Sequence, residues 1–120
     1  MEETHAMENV IFNELKLRGF NVDVGVIEIN STNEKGNRVR KQLEIDFVCN
    51  KGSRRYYIQS AYAMPDQVKM EQEQRSLMLT GDAFKKIIIT KDSPGPYYNE
   101  DGVLVMNIFD FLLDENMLNY

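Results

Sequence analysis

Hydrophobic positions change period several times along the chain, and each change marks an element. Between Met7 and Arg18 the apolar residues Val10, Ile11 and Leu15 fall at helical spacing and Gly19 follows as a stop signal, which predicts a helix. From Phe20 to Ile29 the period drops to two through Val22, Val24 and Val26. It then slips to Ile27 and Ile29, which predicts a strand with a bulge or bend near Gly25. Asn30 to Lys41 is polar and reads as an exposed, mobile hairpin loop. Two strands follow, Gln42 to Cys49 and Arg54 to Tyr62, joined by a tight turn over Asn50-Lys51-Gly52-Ser53.

Alternation along these strands sets Leu43, Ile45 and Phe47 on one face and Glu44, Asp46 and Val48 on the other. On the next strand Tyr57, Gln59 and Ala61 share a face. With Cys49 paired to Arg54, Asp46 faces Tyr57 and lies diagonal to Gln59, so the two side chains can converge on one small ligand. Pro65-Asp66 then opens a helix running to about Leu79, whose polar centre leaves a narrow stripe of Val68, Met78 and Leu79 to bury. Ile87-Ile88-Ile89 has the look of a parallel strand buried on both faces and reached by a helical crossover. Ser93-Pro94-Gly95-Pro96 is a rigid loop, Val103 to Met106 a short last strand, and Asn107 the cap of a final helix. The order αβββαββα predicts a single α/β domain over residues 1–120, with a mixed central sheet flanked by helices.

Composition narrows the chemistry. The 120 residues carry 14 Lys and Arg against 19 Asp and Glu, a net charge of -5, which argues against broad adhesion to nucleic acid but leaves room for a local basic patch. Lys35, Arg38, Arg40 and Lys41 are the densest such run, either a phosphate-contacting segment or a solvated loop. One cysteine, Cys49, and one histidine, His5, exclude an internal disulfide and a Cys/His zinc site, and leave His5, in an expected frayed terminus, as the sole histidine base. These features, with no signal peptide and no apolar run of membrane length, point to a cytoplasmic protein without a membrane partner. No G-x-x-x-x-G-K-[ST] or G-x-G-x-x-G run occurs, so an ATP site within these residues is not expected.

What remains is Glu8 at a helix start, Asp46 in mid-strand and Gln59 on the neighbouring strand. Advancing about 100° per residue places Glu8 within about 60° of Ile11, Phe12 and Leu15, at the head of the apolar stripe. The alternative is a first-turn Glu that favours the helix dipole and points to water. Two carboxylates and an amide oxygen suit Mg²⁺ or Mn²⁺, which take oxygen ligands and keep several waters. Asp46 carries the strongest signal, because an Asp between Ile45 and Phe47 is disfavoured in a strand and needs compensation.

Together, the helix bearing Glu8, the Ile45-Asp46 strand and the polar Gln59 before a crossover helix resemble the PD-(D/E)xK nuclease, or restriction-endonuclease-like, fold. More closely, Met7-Glu8-Asn9-Val10, Gly19-Phe20-Asn21-Val22, Glu44-Ile45-Asp46-Phe47-Val48, Tyr57-Ile58-Gln59-Ser60-Ala61-Tyr62 and Arg75-Ser76-Leu77 resemble the C-terminal domain of unknown function in a family of prokaryotic AAA+ ATPases. The resemblance spans essentially the whole chain. It implies a P-loop domain and a winged-helix region preceding this one, and hence a fragment of a larger ATPase whose N-terminal region is its partner. It also implies a departure: the E-x-K triplet of active nucleases corresponds here to Gln59-Ser60-Ala61, so the lysine is missing. Its loss costs on the order of 10²–10³ in rate if it matches other preorganised charge stabilisers. Pro65-Asp66 is not the namesake dipeptide, because it follows the third strand. Lys69 or Arg75 on the next helix is the candidate for a relocated lysine, and an ordinary surface pairing with Glu73 or Glu71 is the competing reading. Tyr56, Tyr57 and Tyr62 either stack on bases or fill the core.

The leading expectation is a catalytically inactive, nuclease-fold accessory domain that needs no cofactor and serves recognition or assembly. Its competitors are a Mg²⁺- or Mn²⁺-dependent nuclease of DNA or RNA using Lys69, and a structural dimerisation domain. The last leaves a homo-oligomer open.

Overall fold

The computed structural model describes residues 2–64 and 66–120. Its elements in chain order are α1 (Glu2–Leu17), β1 (Asn21–Thr32), β2 (Arg38–Lys51), β3 (Arg54–Ala61), α2 (Gln67–Gln74), β4 (Lys85–Thr90), β5 (Tyr97–Tyr98), β6 (Leu104–Asn107) and α3 (Ile108–Leu113), with 3₁₀ turns at Leu77–Leu79 and Met117–Asn119. The strands form one mixed sheet in the order β1-β2-β3-β4-β6-β5. β1, β2 and β3 are an antiparallel meander, β4 runs parallel to β3 and β6 parallel to β4, and the two-residue β5 adds an antiparallel edge where the sequence reading assigned no element.

Alternation along the central strands feeds two cores, one on each face of the sheet. Met7, Ile11 and Leu15 of α1 pack with Phe47, Ile58, Ile87, Ile89, Met106 and Phe111 on one face, while Leu77 packs with Ile45, Tyr57, Ala61, Ile88 and Val103 on the other. The Ile87-Ile88-Ile89 run therefore divides between both cores, as a parallel strand covered on both sides requires. Tyr56 and Tyr57 are buried, one in each core, which leaves neither ring free to stack on a base. Asn107 closes α3 in a capping box with Asp110, each side chain accepting from the other's backbone N–H.

Several local expectations need correction. Helix α1 begins at Glu2, so the exposed His5 sits within helix rather than in a frayed end, and Val10 faces solvent while Met7 joins the stripe. Asn30 to Lys41 is not a loop. β1 and β2 continue pairing to Thr32 and Arg38, so only residues 33–37 turn, pinned by Asn33 Oδ1 accepting from the N–H groups of Lys35 and Asn37. β2 and β3 pair Lys51 with Arg54 and Cys49 with Tyr56, making a tighter turn than expected around Gly52, whose φ of 62° suits glycine. The crossover helix stops at Gln74 and continues as a 3₁₀ turn, so Val68, Met78 and Leu79 stay exposed and Gln74, Ser76 and Leu77 are buried instead. Asp66 caps α2 by accepting from Lys69 N–H at 2.8 Å, whereas the role expected of Pro65 lies outside the described residues.

The bulge foreseen near Gly25 exists, and its extra residue lies on β2. Asp23 pairs with Val48 and Gly25 with Ile45, so Asp46 and Phe47 together oppose Val24. This breaks the alternation read from sequence: Ile45 and Val48 enter the core with Tyr57, and Phe47 enters the other. The close approach is possible because Gly25 has no side chain. A Cβ there would stand 2.7 Å from Val48 Cγ2 and 3.2 Å from Ile45 Cβ. Gly25→Ala should therefore destabilise the domain by about 1–3 kcal/mol, since both neighbours are stiff β-branched residues, and a lower urea midpoint with unchanged slope would register it.

Candidate functional site

Asp46 sits at the bulge, where β2 leaves the regular ladder. The last regular pair with β3 is Phe47 with Ile58, which sets Asp46 across from Gln59 rather than from Tyr57 as the sequence register implied. In place of a strand-to-strand bond, the Asp46 N–H donates to the Gln59 side-chain Oε1 at 2.7 Å, and Asp46 Oδ2 accepts from the Ser60 N–H at 2.8 Å. Gln59 Nε2 in turn donates to the Glu73 carbonyl and to Ser76 Oγ, both at 3.1 Å. Asp46 and Gln59 thus converge on each other, and Gln59 is a strut between β2 and the end of α2.

The electrostatics of this point are one-sided. The Asp46 carboxyl is pushed up to about 6, chiefly by burial; the Ser60 N–H works against the rise, and the carboxylates of Glu8, Glu73 and Glu44 add to it. Glu8 is half-buried on α1 and acts on Asp46 from that side, so its position beside the apolar stripe brings it to the acid rather than to bulk water. Glu73 acts from α2. Sequence reasoning had seen it only as a partner for Lys69, which it also is: Lys69 Nζ lies 2.9 Å from Glu73 Oε1. Lys69 is therefore linked to Asp46 only through Glu73, while Arg75 is exposed. Ala61, where an E-x-K triplet would carry its lysine, is buried among Ile45, Tyr57, Leu77, Ile88 and Val103.

For a divalent cation the fitting donors are fewer than the sequence suggested. Gln59 Oε1 is already accepting a backbone N–H, and among the described residues no three Asp, Glu, His or Cys side chains gather as a metal cluster. Asp46 Oδ1 and Glu8 remain, and two carboxylates suit a hydrated Mg²⁺ or Mn²⁺ that takes most of its ligands from water. Such an ion would supply positive charge where the protein has gathered only negative charge.

The basic run lies elsewhere, on the exposed β1–β2 ribbon. Lys35 is in its turn, and alternation sends Arg38 and Arg40 to one side and Lys41 to the other. Arg40 pairs with Glu28 at 3.1 Å, and Glu34 and Glu44 lie on the same ribbon, so the positive charge is interleaved with acids. Cys49 is buried, and burial pushes its thiol up to about 12, which removes it as a nucleophile.

The raised Asp46 carboxyl gives a signed expectation. Its folded value of about 6 exceeds the ordinary 3.8, so the folded chain holds the proton more tightly, and stability falls as pH rises through that window. The whole cost, on the order of 1–3 kcal/mol, is present at neutral pH. Asp46→Asn keeps an oxygen for the Ser60 N–H and removes the charge. It should be more stable than the parent at pH 7.5 and lack the parent's decline between about pH 4 and 6, as urea unfolding across pH would measure. A variant weaker than the parent at neutral pH would mean that the ionised carboxylate stabilises the bulge.

Comparison with known proteins adds one relative. Over 110 residues, 89% of the chain, it is 34% identical to an uncharacterised protein of Haemophilus influenzae, and the aligned segment is 22% of that protein. The chain thus spans about a fifth of the length of the relative it matches. No protein-family profile matches the chain, and no solved structure matches it. No helix among the described residues is long and apolar enough to cross a membrane.

Proposed function

We propose that this domain is a catalytically inactive member of the restriction-endonuclease-like fold, carried on an AAA+ ATPase as a recognition or assembly module. The observation that carries the reading is the pairing of a retained acid with a closed lysine position. The carboxylates of Glu8, Glu73 and Glu44 add to the rise that burial causes in the Asp46 carboxyl, and Ala61 is buried in an apolar cluster. A nuclease site needs positive charge against the developing phosphate charge, from metal and lysine together. No cation stands among the main influences on the Asp46 carboxyl. The αβββαβ order, with an antiparallel meander followed by a parallel crossover strand and an acid at the second strand, supports the fold assignment. The relative's greater length supports a module within a longer chain, with the ATPase region as its natural partner.

A second reading, a nuclease with a relocated lysine, rests on the Lys69–Glu73 pair, because Glu73 also acts on Asp46 and so links Lys69 to the acid. Incubation with Mg²⁺ or Mn²⁺ and with single- and double-stranded DNA and RNA distinguishes the two. The inactive module leaves all substrates intact. Metal-dependent cleavage that disappears in Asp46→Ala, Glu8→Ala and Lys69→Ala would establish the nuclease and sink the first reading.

Ala61→Lys probes the closed position directly. An ammonium forced among Tyr57, Leu77 and Ile88 without a partner should cost several kcal/mol, on the order of 3, whereas Lys69→Ala at an exposed pair should cost less than about 1 kcal/mol. Chemical denaturation of the two variants would measure both.

A further inference from the structure

At the C-terminal end of β2, five residues and about 17 Å along the strand from Asp46, the chain gathers the opposite charge. A cavity of about 240 Å³ opens there between the end of α1, the β2–β3 turn and the last 3₁₀ turn. Arg18, Lys51 and Arg54 line it with Asn116 and Asn119, and Glu115 is its one acidic wall residue. In a chain of net charge -5, three cations to one acid is a local reversal.

Arg18 is the telling residue. Its side chain is only 9% exposed. Nε is held by Glu14 at 2.8 Å, Nη2 donates to the Phe111 carbonyl at 2.6 Å, and the guanidinium lies over the Phe111 ring at 4.6 Å. Nη1 is buried with no acceptor. With Nη1 sealed from solvent, Arg18 acts in the cavity as a fixed charge that Glu14 offsets in part. Lys51 Nζ spends one of its three protons on the Arg18 carbonyl at 2.6 Å and keeps two. Asn119 accepts from the Tyr56 hydroxyl through Oδ1, which fixes the amide and frees its NH₂ to donate. Arg54 is exposed at the rim without an ion-pair partner among the described residues.

Free donors on Lys51, Arg54 and Asn119 beside the fixed Arg18 charge suit a compact, multiply charged oxyanion. We propose that this cavity binds a phosphate monoester, its dianionic head seated between Lys51, Arg54 and the Asn119 amide, with the held Arg18 guanidinium as a fixed positive charge behind them. A cavity of this size holds the head group and leaves the esterified remainder at the open rim. Two sources share that chemistry, a small phosphorylated metabolite and the 5′-phosphate end of a nucleic acid. The site does not depend on the nuclease-like reading of the acidic end, and it can stand or fall alone.

Titration with inorganic phosphate at constant ionic strength, followed by the NMR signals of Arg18 Nε–H and the Asn119 amide, provides the test. A saturable response in the millimolar range is expected. Arg54→Gln and Lys51→Gln should each weaken it about tenfold, the scale of one lost charge-assisted hydrogen bond. Arg54→Gln should not alter thermal unfolding without phosphate, so a weaker response in that variant cannot be blamed on misfolding. A linear, unsaturated response, or one equal in both variants and parent, would overturn the proposal. The source is read from a pair of short oligonucleotides and a sugar phosphate. Preference for the 5′-phosphorylated strand over its 5′-hydroxyl twin indicates a nucleic-acid end. Competition by the sugar phosphate alone indicates a metabolite. Equal binding of both strands, tighter than inorganic phosphate, would overturn the monoester assignment in favour of backbone diesters.

Discussion

The exchange of hydrogen bonds between Asp46, Gln59 and Ser60 holds together what the rest of the domain depends on. At that point β2 has one residue too many for β1, and the Asp46 N–H has no regular partner in the ladder. Gln59 supplies an acceptor from its side chain, Ser60 supplies a donor to the carboxylate, and Gln59 then reaches on to Glu73 and Ser76. One amide thus joins the bulge to the crossover helix. That helix is short, polar and weakly anchored by apolar contact, so these buried polar bonds fix its C-terminal end more firmly than Val68 or Leu79 could from their exposed positions. The same bulge turns Ile45 into the second core and so completes the pocket around Ala61.

The bulge also accounts for which parts of the structure could be read from the chain. Period-two and helical patterns located the three-strand meander, the parallel Ile87–Ile89 strand and the Asn107 cap, because each rests on side chains whose burial repeats with the local backbone. The Gly25 phase slip announced an irregularity. Its partner strand did not, because an extra residue on β2 leaves Leu43, Ile45 and Phe47 looking like ordinary alternation, although Ile45 and Phe47 end in different cores. The extent of the β1–β2 ribbon was hidden for another reason. Its outer half buries little, so Ser31, Thr32, Arg38 and Arg40 carry no hydrophobic signal, and only backbone pairing extends the strands.

At the candidate site, Asp46 was legible as an acid where a strand disfavours one, and Glu8 as an acid beside an apolar stripe. Two aspects were not. Gln59 resembles a ligand in sequence because it occupies a ligand's position, yet its oxygen is spent on the backbone of Asp46. Glu73 looks like half of a helical surface pair, yet its carboxylate also acts on Asp46 across the layer. Both depend on the register between β2 and β3, and a turn tighter than the expected one moved that register by two residues. Sequence spacing could place these groups near one another but could not decide which atoms faced which.

Two points along β2 form an electrostatic pair, Asp46 in mid-strand and Lys51 at the C-terminal end. Burial, with three neighbouring carboxylates, makes the Asp46 charge costly, and Arg18, Lys51 and Arg54 line a cavity with one acidic residue. A ligand that binds only the folded state adds its binding energy to stability, so phosphate in the proposed site would raise it. The separation matters. At about 17 Å, beyond the Debye length of about 8 Å at physiological salt, the acids neither neutralise the basic cavity nor repel an anion from it strongly. A chain with net charge -5 can therefore hold an acidic centre and a basic cavity without either cancelling the other.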